Sequence, residues 1–247
     1  MDADNTRKPI LAARGLVKIY GGKKVVNSVH FDVYAEEIVG LLGKNGAGKT
    51  TSFRITVGMI HPEAGKVYLL DKDITTLPMY VRARLGIGYL SQEPSVFQRM
   101  TVRENMLAIL ETLPLPRHEQ RERADELMTE LGILPLADQR ANTLSGGERR
   151  RVEIARALVT SPKIMLLDEP FSGVDPIAVE EIKDIITSLR EKGIGILLTD
   201  HNVRETLSIT DRSYIIDEGK ILCEGTSDEL VGDPIVRRAY LGERFTM

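Results

Sequence analysis

Apolar residues in this chain fall into short runs, bounded by turn residues, that alternate with stretches of helical spacing. Short apolar runs rich in β-branched residues predict strands. The predicted strands cover residues 10–20, 25–34, 37–42, 65–70, 85–90, 163–169 and 194–199, and a hairpin follows over 213–224. After its first residue, the run at 163–169 is apolar up to its last two, as in a parallel strand buried on both faces. The pattern therefore predicts an α/β fold.

Helical spacing replaces the strand pattern between residues 94 and 144. Thr101 and Glu104 have the spacing of a capping box, which predicts a helix over residues 102–113. A second, highly charged helix is predicted over residues 119–131. Two prolines separate these helices and prevent a continuous one.

This helical block interrupts the alternation of strands and helices. We therefore expect a helical subdomain at about residues 94–160, inserted into a single domain that covers residues 1–247. A chain of this length can bury a substantial core. The predicted strands that precede residue 37 lie outside this alternation, and we expect them to form a small antiparallel β layer beside the bound ligand.

A glycine-rich segment follows the predicted strand at 37–42. Residues 43–50 read GKNGAGKT, which is the pattern of a phosphate-binding loop. Backbone N–H groups can converge on a polyphosphate only where side chains do not obstruct them, which explains the glycines. Lys49 supplies a cation for the β- and γ-phosphates, and Thr50 offers a hydroxyl to Mg²⁺. The helix that begins here directs its positive end at the same anion.

Polar residues follow three other predicted strands at their carboxyl ends, where open α/β sheets place ligands. Asp168 suits a contact with Mg²⁺ through water, and Glu169 can orient or deprotonate the attacking water. Gln92 either reaches Mg²⁺ or the attacking water, or is a solvated loop residue. His201 either contacts the γ-phosphate or links it to Glu169, or is structural.

Several apolar and aromatic residues have two interpretations from the sequence alone. Tyr20, at the end of the first strand, either stacks on an adenine base or packs against its neighbours. Phe97, Met100 and Val102 belong either to the core or to an exposed groove that receives a helix of a partner protein.

A second glycine-containing motif, LSGGE, occupies residues 144–148. Ser145 and Glu148 have capping-box spacing, and the two glycines between them leave backbone N–H groups bare at a helix N-terminus, which predicts a second anion site. One chain cannot easily bring two helix ends to one phosphate from opposite sides, whereas a head-to-tail pair of chains can. The three arginines at 149–151 predict, for the most part, a solvated basic face.

Composition narrows the possible partners. The 247 residues include 33 basic and 36 acidic side chains, a formal charge of −3, so no global basic field predicts binding to nucleic acid or anionic lipid. The single cysteine, Cys223, excludes an internal disulfide and favours a reducing cytosol. No apolar run approaches the roughly 20 residues of a membrane span, and the N-terminus lacks the apolar core of a signal peptide. We expect no direct membrane insertion, and membrane contact only through a partner.

Taken in order, these motifs resemble those of the nucleotide-binding subunits of ATP-binding-cassette (ABC) transporters across essentially the whole chain. The resemblance implies a P-loop NTPase with a RecA-like core, an antiparallel β layer and an inserted α-helical subdomain. It implies that ATP and Mg²⁺ are bound, with residues 172–175 as the D-loop. The implied catalytic residues are Glu169, His201 and Gln92, and the implied metal site consists of Thr50, Gln92 and Asp168. The residues implied to bind nucleotide are Tyr20, Gly43, Lys44, Asn45, Gly46, Ala47, Gly48, Lys49, Thr50, Thr51, Ser145, Gly146 and Gly147.

Three segments show a finer resemblance. Residues 91–105, 199–207 and 240–245 are similar to those of the ATPase subunits of lipopolysaccharide-export transporters of Gram-negative bacteria. This implies a homodimer in the ATP state that sits beneath transmembrane permease subunits, on the cytoplasmic face of the inner membrane. Such a dimer drives the extraction of lipopolysaccharide from that membrane and its export to the outer membrane.

Other members of the superfamily are alternatives. The ATPases of branched-chain amino-acid importers are the nearest ones. Among non-transport ABC ATPases, a translation factor would usually carry two cassettes, and a chromosome-structuring ATPase would divide its cassette with a long coiled coil, whereas about fifty residues separate Gln92 from Ser145. An adaptor that binds ATP without hydrolysing it would be expected to lack Glu169 or His201, and both are present.

Overall fold

The chain forms two β-sheets in this computed structural model, which describes residues 7–242 and residue 245. The first sheet is antiparallel and has the order β2-β1-β4-β5. Its strands are β1 (Leu11–Tyr20), β2 (Lys23–Val33), β4 (Ala64–Leu69) and β5 (Lys72–Asp73). The predicted antiparallel β layer is therefore confirmed.

The second sheet has the order β10-β9-β3-β8-β7-β6, and all neighbouring strands in it are parallel except the hairpin of β9 and β10. Its strands are β3 (Ile38–Gly43), β6 (Ile87–Leu90), β7 (Ile164–Asp168), β8 (Gly195–Thr199), β9 (Arg212–Asp217) and β10 (Lys220–Gly225). Strands β3, β7 and β8 are buried along their whole length, as their continuous apolar runs predict.

Helices cover both faces of the second sheet or connect its strands. They are α1 (Lys49–Val57), α2 (Met79–Arg84), α3 (Val102–Leu110), α4 (Arg117–Glu130), α5 (Gly146–Leu158), α6 (Pro176–Glu191), α7 (Val203–Ile209) and α8 (Ser227–Gly232). Short 3₁₀ turns lie at Leu134–Leu136 and Ala141–Thr143, and a helical turn Pro234–Val236 leads into a π-helical turn, Arg237–Leu241. None of the helices that the structure describes is long and apolar enough to cross a membrane.

Complete capping boxes begin three of these helices. Thr101 pairs with Glu104 at α3, Ser145 with Glu148 at α5, and Thr226 with Glu229 at α8. Helix α3 ends at Leu110, earlier than the predicted residue 113, because the chain tightens into i→i−3 bonds before the prolines. Helices α3, α4 and α5 lie between β6 and β7 in the chain; the subdomain bounds of 94–160 stay a prediction.

Helix α2 is not foreseen by the sequence pattern, and it carries a fully buried arginine. Arg82 donates to the carbonyl oxygens of Ile55 and Thr56 at the end of α1, at 2.8 and 2.7 Å, and to those of Thr75 and Leu77, both at 2.8 Å. Burial lowers its pKa to about 10. A cation at the C-terminus of a helix complements the helix dipole, so Arg82 helps to fix the end of α1.

Phe97, Met100 and Val102, for which the sequence allows either a core position or a partner groove, divide between core and surface. Val102 is fully buried in the cluster beneath α3, α4 and α5, whereas Phe97 and Met100 are 44% and 40% exposed. The core interpretation therefore holds for Val102 alone.

A small apolar cluster holds the C-terminal segment against the second sheet. Tyr240, Leu241 and Phe245 pack on this cluster, which includes Leu42 of β3 and Leu207 of α7. Of the C-terminal segment 240–245 that resembles the export ATPases, Glu243 and Arg244 lie outside the described residues.

Candidate functional site

Four neighbouring strands of the second sheet, β3, β8, β7 and β6, deliver their following residues to the same edge. A cavity of about 410 Å³ lies there. Its lining consists of Val25, Asn45, Gly46, Gly48, Lys49, Thr50, Thr51, Gln92, Glu169 and His201. The fold thus brings most of the predicted phosphate loop together with the predicted catalytic residues, at the edge where open α/β sheets bind ligands.

The loop between β3 and α1 requires glycine at its tightest points. Gly43 and Gly48 have φ angles of 150° and 108°, and a Cβ atom at these positions would lie 2.1 Å from the carbonyl oxygen of Ile216 and 2.5 Å from that of Val25. Gly48 occupies the N-cap position of α1 and offers no side-chain acceptor, which leaves the first-turn N–H groups for an external anion.

Lys49 forms hydrogen bonds with the backbone of its own loop. Its Nζ donates to the carbonyl oxygens of Gly43 and Lys44 at 2.5 and 3.0 Å, and the side chain is buried. Burial lowers the Lys49 pKa, while the negative charges of Glu169 and Asp168 oppose this change. Among the residues that the structure describes, no carboxylate forms an ion pair with Lys49, and a buried ammonium group in this situation favours the arrival of an anion.

Glu169 is the meeting point of the predicted catalytic side chains. Gln92 Nε2 donates to Glu169 Oε2 at 2.8 Å, and His201 Nε2 lies 2.6 Å from Glu169 Oε1. The backbone of Glu169 is left-handed, with φ at 52°, and its N–H donates to Thr199 of β8 at 2.7 Å. Strained backbone of this kind is concentrated at functional sites, where the surrounding structure holds it.

Asp168 provides an oxygen without a partner beside this cluster. The side chain is 1% exposed, and its Oδ1 has no hydrogen-bond partner among the residues that the structure describes. Burial and the charge of Glu169 raise the pKa of Asp168 to about 6, although Arg54 and Arg150 oppose this. Asp168 and Gln92 line the same cavity, and oxygen atoms of this kind, a carboxylate and an amide, are ligands that Mg²⁺ prefers.

Arg150 belongs to the site although the sequence pattern predicts a solvated face for most of its neighbours. It is 5% exposed and is therefore the exception among the three arginines, since Arg149 and Arg151 are partly exposed. Its guanidinium donates to the carbonyl oxygens of Ser91, Asp168, Glu169 and Pro170, at 2.8 to 3.2 Å. One sequence signal points to this burial, because Arg150 precedes the buried Ile154 by one helical turn.

Other predicted nucleotide-binding residues lie away from this cavity. Lys44 and Ala47 line an adjoining cavity of about 370 Å³, together with Asn45 and Gly46. Tyr20 is exposed, and Lys18 Nζ lies 5.4 Å from the centroid of its ring.

The LSGGE motif also lies apart from the phosphate loop within one chain. Gly146 lines a separate cavity of about 250 Å³ with Gln92, Arg149 and Ser172. Ser145 is exposed and Gly147 is buried, and neither is among the described residues that line the cavity at the phosphate loop.

Comparison with known proteins decides the family. The sequence model of the ABC transporter family matches residues 26–172, which include the phosphate loop, Gln92, Ser145 and Glu169. The chain belongs to the family of ABC transporter ATPases. A second model, described as branched-chain amino acid ATP-binding cassette transporter, matches residues 220–246 of this ABC transporter ATPase.

Curated relatives match along nearly their full length. The lipopolysaccharide export system ATP-binding protein LptB of Acidithiobacillus ferridurans is 55% identical over 236 residues, which cover 96% of this chain and 98% of that protein. LptB of Escherichia coli strain K12 is 53% identical over 238 residues, covering 96% and 99%.

Solved structures share the fold of this ABC transporter ATPase. A nucleotide-free ATP-binding cassette from an ABC transporter superposes with a TM-score of 0.86 at 31% identity, covering 96% of this chain and all of the other. An ATP-binding cassette in its ADP conformation superposes with a TM-score of 0.85, also at 31% identity and with the same coverage. The chain therefore has the P-loop NTPase fold of an ABC ATPase and hydrolyses ATP.

Proposed function

We propose that this chain is the ATP-hydrolysing motor of a lipopolysaccharide exporter. The observation that carries the proposal is its end-to-end similarity to LptB proteins, at 53 to 55% identity over 96% of this chain. The chain then drives extraction of lipopolysaccharide from the inner membrane, and it lies on the cytoplasmic face of that membrane, beneath transmembrane permease subunits.

The residues around the cavity divide the work of hydrolysis. The phosphate loop holds the β- and γ-phosphates through its backbone N–H groups, and Lys49 exchanges its two carbonyl acceptors for phosphate oxygens. Glu169 positions the attacking water and accepts its proton, while Gln92 and His201 hold the carboxylate by its two oxygens.

Thr50, Gln92 and Asp168 are the proposed ligands of Mg²⁺. When bound there, the ion would supply positive charge that neutralises the charge developing on the phosphates. Asp168 is suited to this role because its Oδ1 is buried and unpartnered among the described residues. A cation there also compensates the burial that raises the Asp168 pKa.

The proposed active unit is a head-to-tail dimer that forms on ATP. Residues 145–147 are not among the described residues that line the cavity at the phosphate loop, yet Ser145 caps an exposed helix N-terminus suited to a phosphate. In the dimer, this end of α5 contacts the nucleotide bound by the partner's phosphate loop. Loss of the γ-phosphate removes the shared anion and opens the dimer, and the exposed Phe97 and Met100 pass that motion to the permease.

A second candidate function is supported by the C-terminal match. Residues 220–246 fit the model of branched-chain amino acid cassettes, so the same motor could serve an importer of such amino acids. The two functions share the hydrolytic site and differ in the permease and its substrate.

Depletion in the cells that carry this gene distinguishes the candidates. Replacing the gene with a repressible copy should make newly made lipopolysaccharide accumulate in the inner membrane, as measured by membrane fractionation after pulse labelling. A copy with Glu169→Gln should not restore export, whereas the unaltered copy should. Normal lipopolysaccharide distribution together with a loss of leucine, isoleucine and valine uptake would favour the importer and contradict our proposal.

A further inference from the structure

Three charged residues of α5 lie on one face of that helix and form hydrogen bonds with the loop that carries Gln92. Arg150, Glu153 and Arg156 are spaced three residues apart, which places neighbours on the same side of a helix. Glu153 is 4% exposed and forms a buried ion pair with Arg150, whose Nη1 donates to Glu153 Oε2 at 2.9 Å.

These hydrogen bonds hold the backbone at both ends of the loop, at Ser91 and Ser95. Arg150 Nη1 donates to the carbonyl oxygen of Ser91 at 2.8 Å. The N–H of Ser95 donates to Glu153 Oε1 at 2.6 Å, and Arg156 Nη1 donates to the carbonyl oxygen of Ser95 at 2.5 Å. Residues 91–95, and Gln92 among them, are therefore positioned by one helix.

Two hydrogen bonds connect this set of contacts to Glu169, the proposed catalytic residue. Arg150 Nη2 donates to the backbone oxygen of Glu169 at 2.8 Å, and Gln92, within this loop, donates to the Glu169 side chain. A displacement of the loop relative to α5 thus changes the position of the carboxylate that handles the attacking water.

At its outer end, this set of contacts reaches the surface at Phe97. The guanidinium carbon of Arg156 lies 4.5 Å from the centroid of the Phe97 ring, within the range of a cation–π contact. Asn105 fixes the backbone of Phe97 by accepting from its N–H at 2.8 Å and donating to its carbonyl oxygen at 3.1 Å. The ring is exposed while its backbone is held, so we expect a partner that displaces the ring to displace the Arg156 side chain in contact with it.

We propose that Glu153 is a positioning residue that couples a permease seated on Phe97 to the catalytic site. The inference rests on the proposed function, in which Phe97 contacts the permease. The link runs from Phe97 to Arg156, through Ser95 to Glu153, and then to Arg150 and Glu169. Glu153 is its centre because it alone among these side chains accepts from both the loop backbone and Arg150.

The substitution Glu153→Gln cuts this link at one bond. The glutamine oxygen still accepts from the Ser95 N–H, but its amide group meets Arg150 Nη1 donor to donor. Arg156→Lys is the second variant, because lysine keeps the charge near Phe97 and loses the planar fork that also reaches Ser95. Glu181→Gln is the matched control, since Glu181 of α6 forms a 3.6 Å ion pair with Arg151 of α5, and this pair does not involve the loop that carries Gln92.

The measurement is the ratio of ATP turnover with the co-expressed permease in lipid nanodiscs to turnover of the isolated chain, with Tm recorded for each variant. Coupling residues change such a ratio by roughly 2- to 30-fold, so we expect the ratio to move toward one by that factor in Glu153→Gln and Arg156→Lys, and to keep its parent value in Glu181→Gln. A structural role alone would lower Tm and scale both turnovers equally. An unchanged ratio in Glu153→Gln, whatever its Tm, would overturn the link, and if that variant does not fold, an unchanged ratio in Arg156→Lys would do the same. A parent ratio of one, or a parent chain that does not co-purify with the permease, would overturn the proposed function and the link together.

Discussion

Arg150 donates to the backbone carbonyl oxygen of Glu169 at 2.8 Å, although the two residues are 19 positions apart and belong to α5 and to the end of β7. The same guanidinium holds the carbonyl oxygens of Asp168 and Pro170 on either side. The left-handed residue that carries the proposed catalytic carboxylate is thus fixed by an arginine of the helix that begins with LSGGE.

Arg150→Lys should therefore reduce ATP turnover. An ammonium group cannot satisfy the several acceptors that the planar guanidinium reaches. We expect kcat to fall by about 10- to 100-fold, because small displacements of a catalytic group have effects of this order, and KM for ATP to change little. Steady-state kinetics provide the test, with Arg149→Lys as the control because the Arg149 side chain donates to Leu144 at 3.2 Å and not to the residues around Glu169 that the structure describes. Equal losses in both variants would contradict this role.

Glu169→Gln should separate nucleotide binding from hydrolysis. Glutamine keeps the size of the side chain but is not a useful base, so turnover should fall by roughly 10²–10⁴-fold while ATP still binds. Size-exclusion chromatography with light scattering should show a long-lived dimer with ATP and Mg²⁺, and a monomer with ADP.

The head-to-tail arrangement of that dimer is tested by a second change. Adding Ser145→Arg to Glu169→Gln should abolish the dimer, because bulk and charge then occupy the helix N-terminus that receives the partner's phosphate. A Glu169→Gln chain that binds ATP and stays monomeric at high concentration would count against the sandwich.

Glu148→Gln should favour the ATP dimer. An ionised carboxylate only accepts, so the Ser145 hydroxyl must donate to Glu148 Oε2, 2.8 Å away, and it is not free to donate to a phosphate. The same oxygen also accepts from the Ser145 N–H at 2.8 Å, so a glutamine keeps its amide oxygen there but removes the negative charge that repels an incoming phosphate. In the Glu169→Gln background, we expect the ATP concentration for half-maximal dimerisation to fall about fivefold, which corresponds to roughly 1 kcal/mol.

The chain offers a matched control for this change. Thr226 and Glu229 form an equivalent capping box at α8, in which the hydroxyl lies 3.0 Å from the carboxylate. Glu229→Gln should leave dimerisation unchanged. If Glu148→Gln raises the ATP requirement, the carboxylate assists closure and our interpretation is wrong.

Asp168→Asn should stabilise the nucleotide-free chain at pH 7.5. Burial raises the Asp168 pKa from 3.8 to about 6, so the folded state bears an unfavourable charge above pH 6 that it does not bear below pH 4. A difference of this size corresponds to roughly 3 kcal/mol, and we expect a gain of about 1 to 3 kcal/mol in the free energy of unfolding. Urea titrations in EDTA should show the gain shrink as the pH falls from 7.5 to 4.5. A gain that is constant with pH would exclude this carboxylate as its source.

Local patterns in the sequence predict the strands that build the site. The runs before Gln92, Glu169 and His201 are apolar and short, and each of these residues comes within two positions of a strand end. Parallel pairing of β6, β7 and β8 then gathers them at one edge, so the pattern carries enough information to place them together.

The remaining features depend on contacts that the sequence does not encode locally. Arg150 and Arg82 are bound mainly or wholly by backbone carbonyl oxygens, which every residue possesses, so no partner motif announces them. Phe97 and Val102 are both apolar, yet only Val102 is covered, because burial is decided by which helices pack above each position.

Phe97→Ala should affect association more than folding. An aromatic residue truncated in a core typically loses about 3–5 kcal/mol, whereas the half-exposed ring of Phe97 should contribute about 1 kcal/mol. Co-purification with the permease should weaken, as measured by the yield of complex from detergent extracts. Leu134→Ala, at another partly exposed apolar position, should leave that yield unchanged. A large fall in Tm for Phe97→Ala would instead return this residue to the core.

The left-handed backbone at Glu169 shapes how such a gene would decay. A residue other than glycine in this conformation costs about 1 kcal/mol, so mutation of Glu169 to glycine would relieve strain while removing the proposed general base. A mutation from glutamate to glycine at this codon would therefore lower the strain energy of the native backbone, and selection for ATP turnover would be needed to maintain the glutamate. In a lineage that no longer needs the motor, this position should be among the first to change, well before the buried strands that support it.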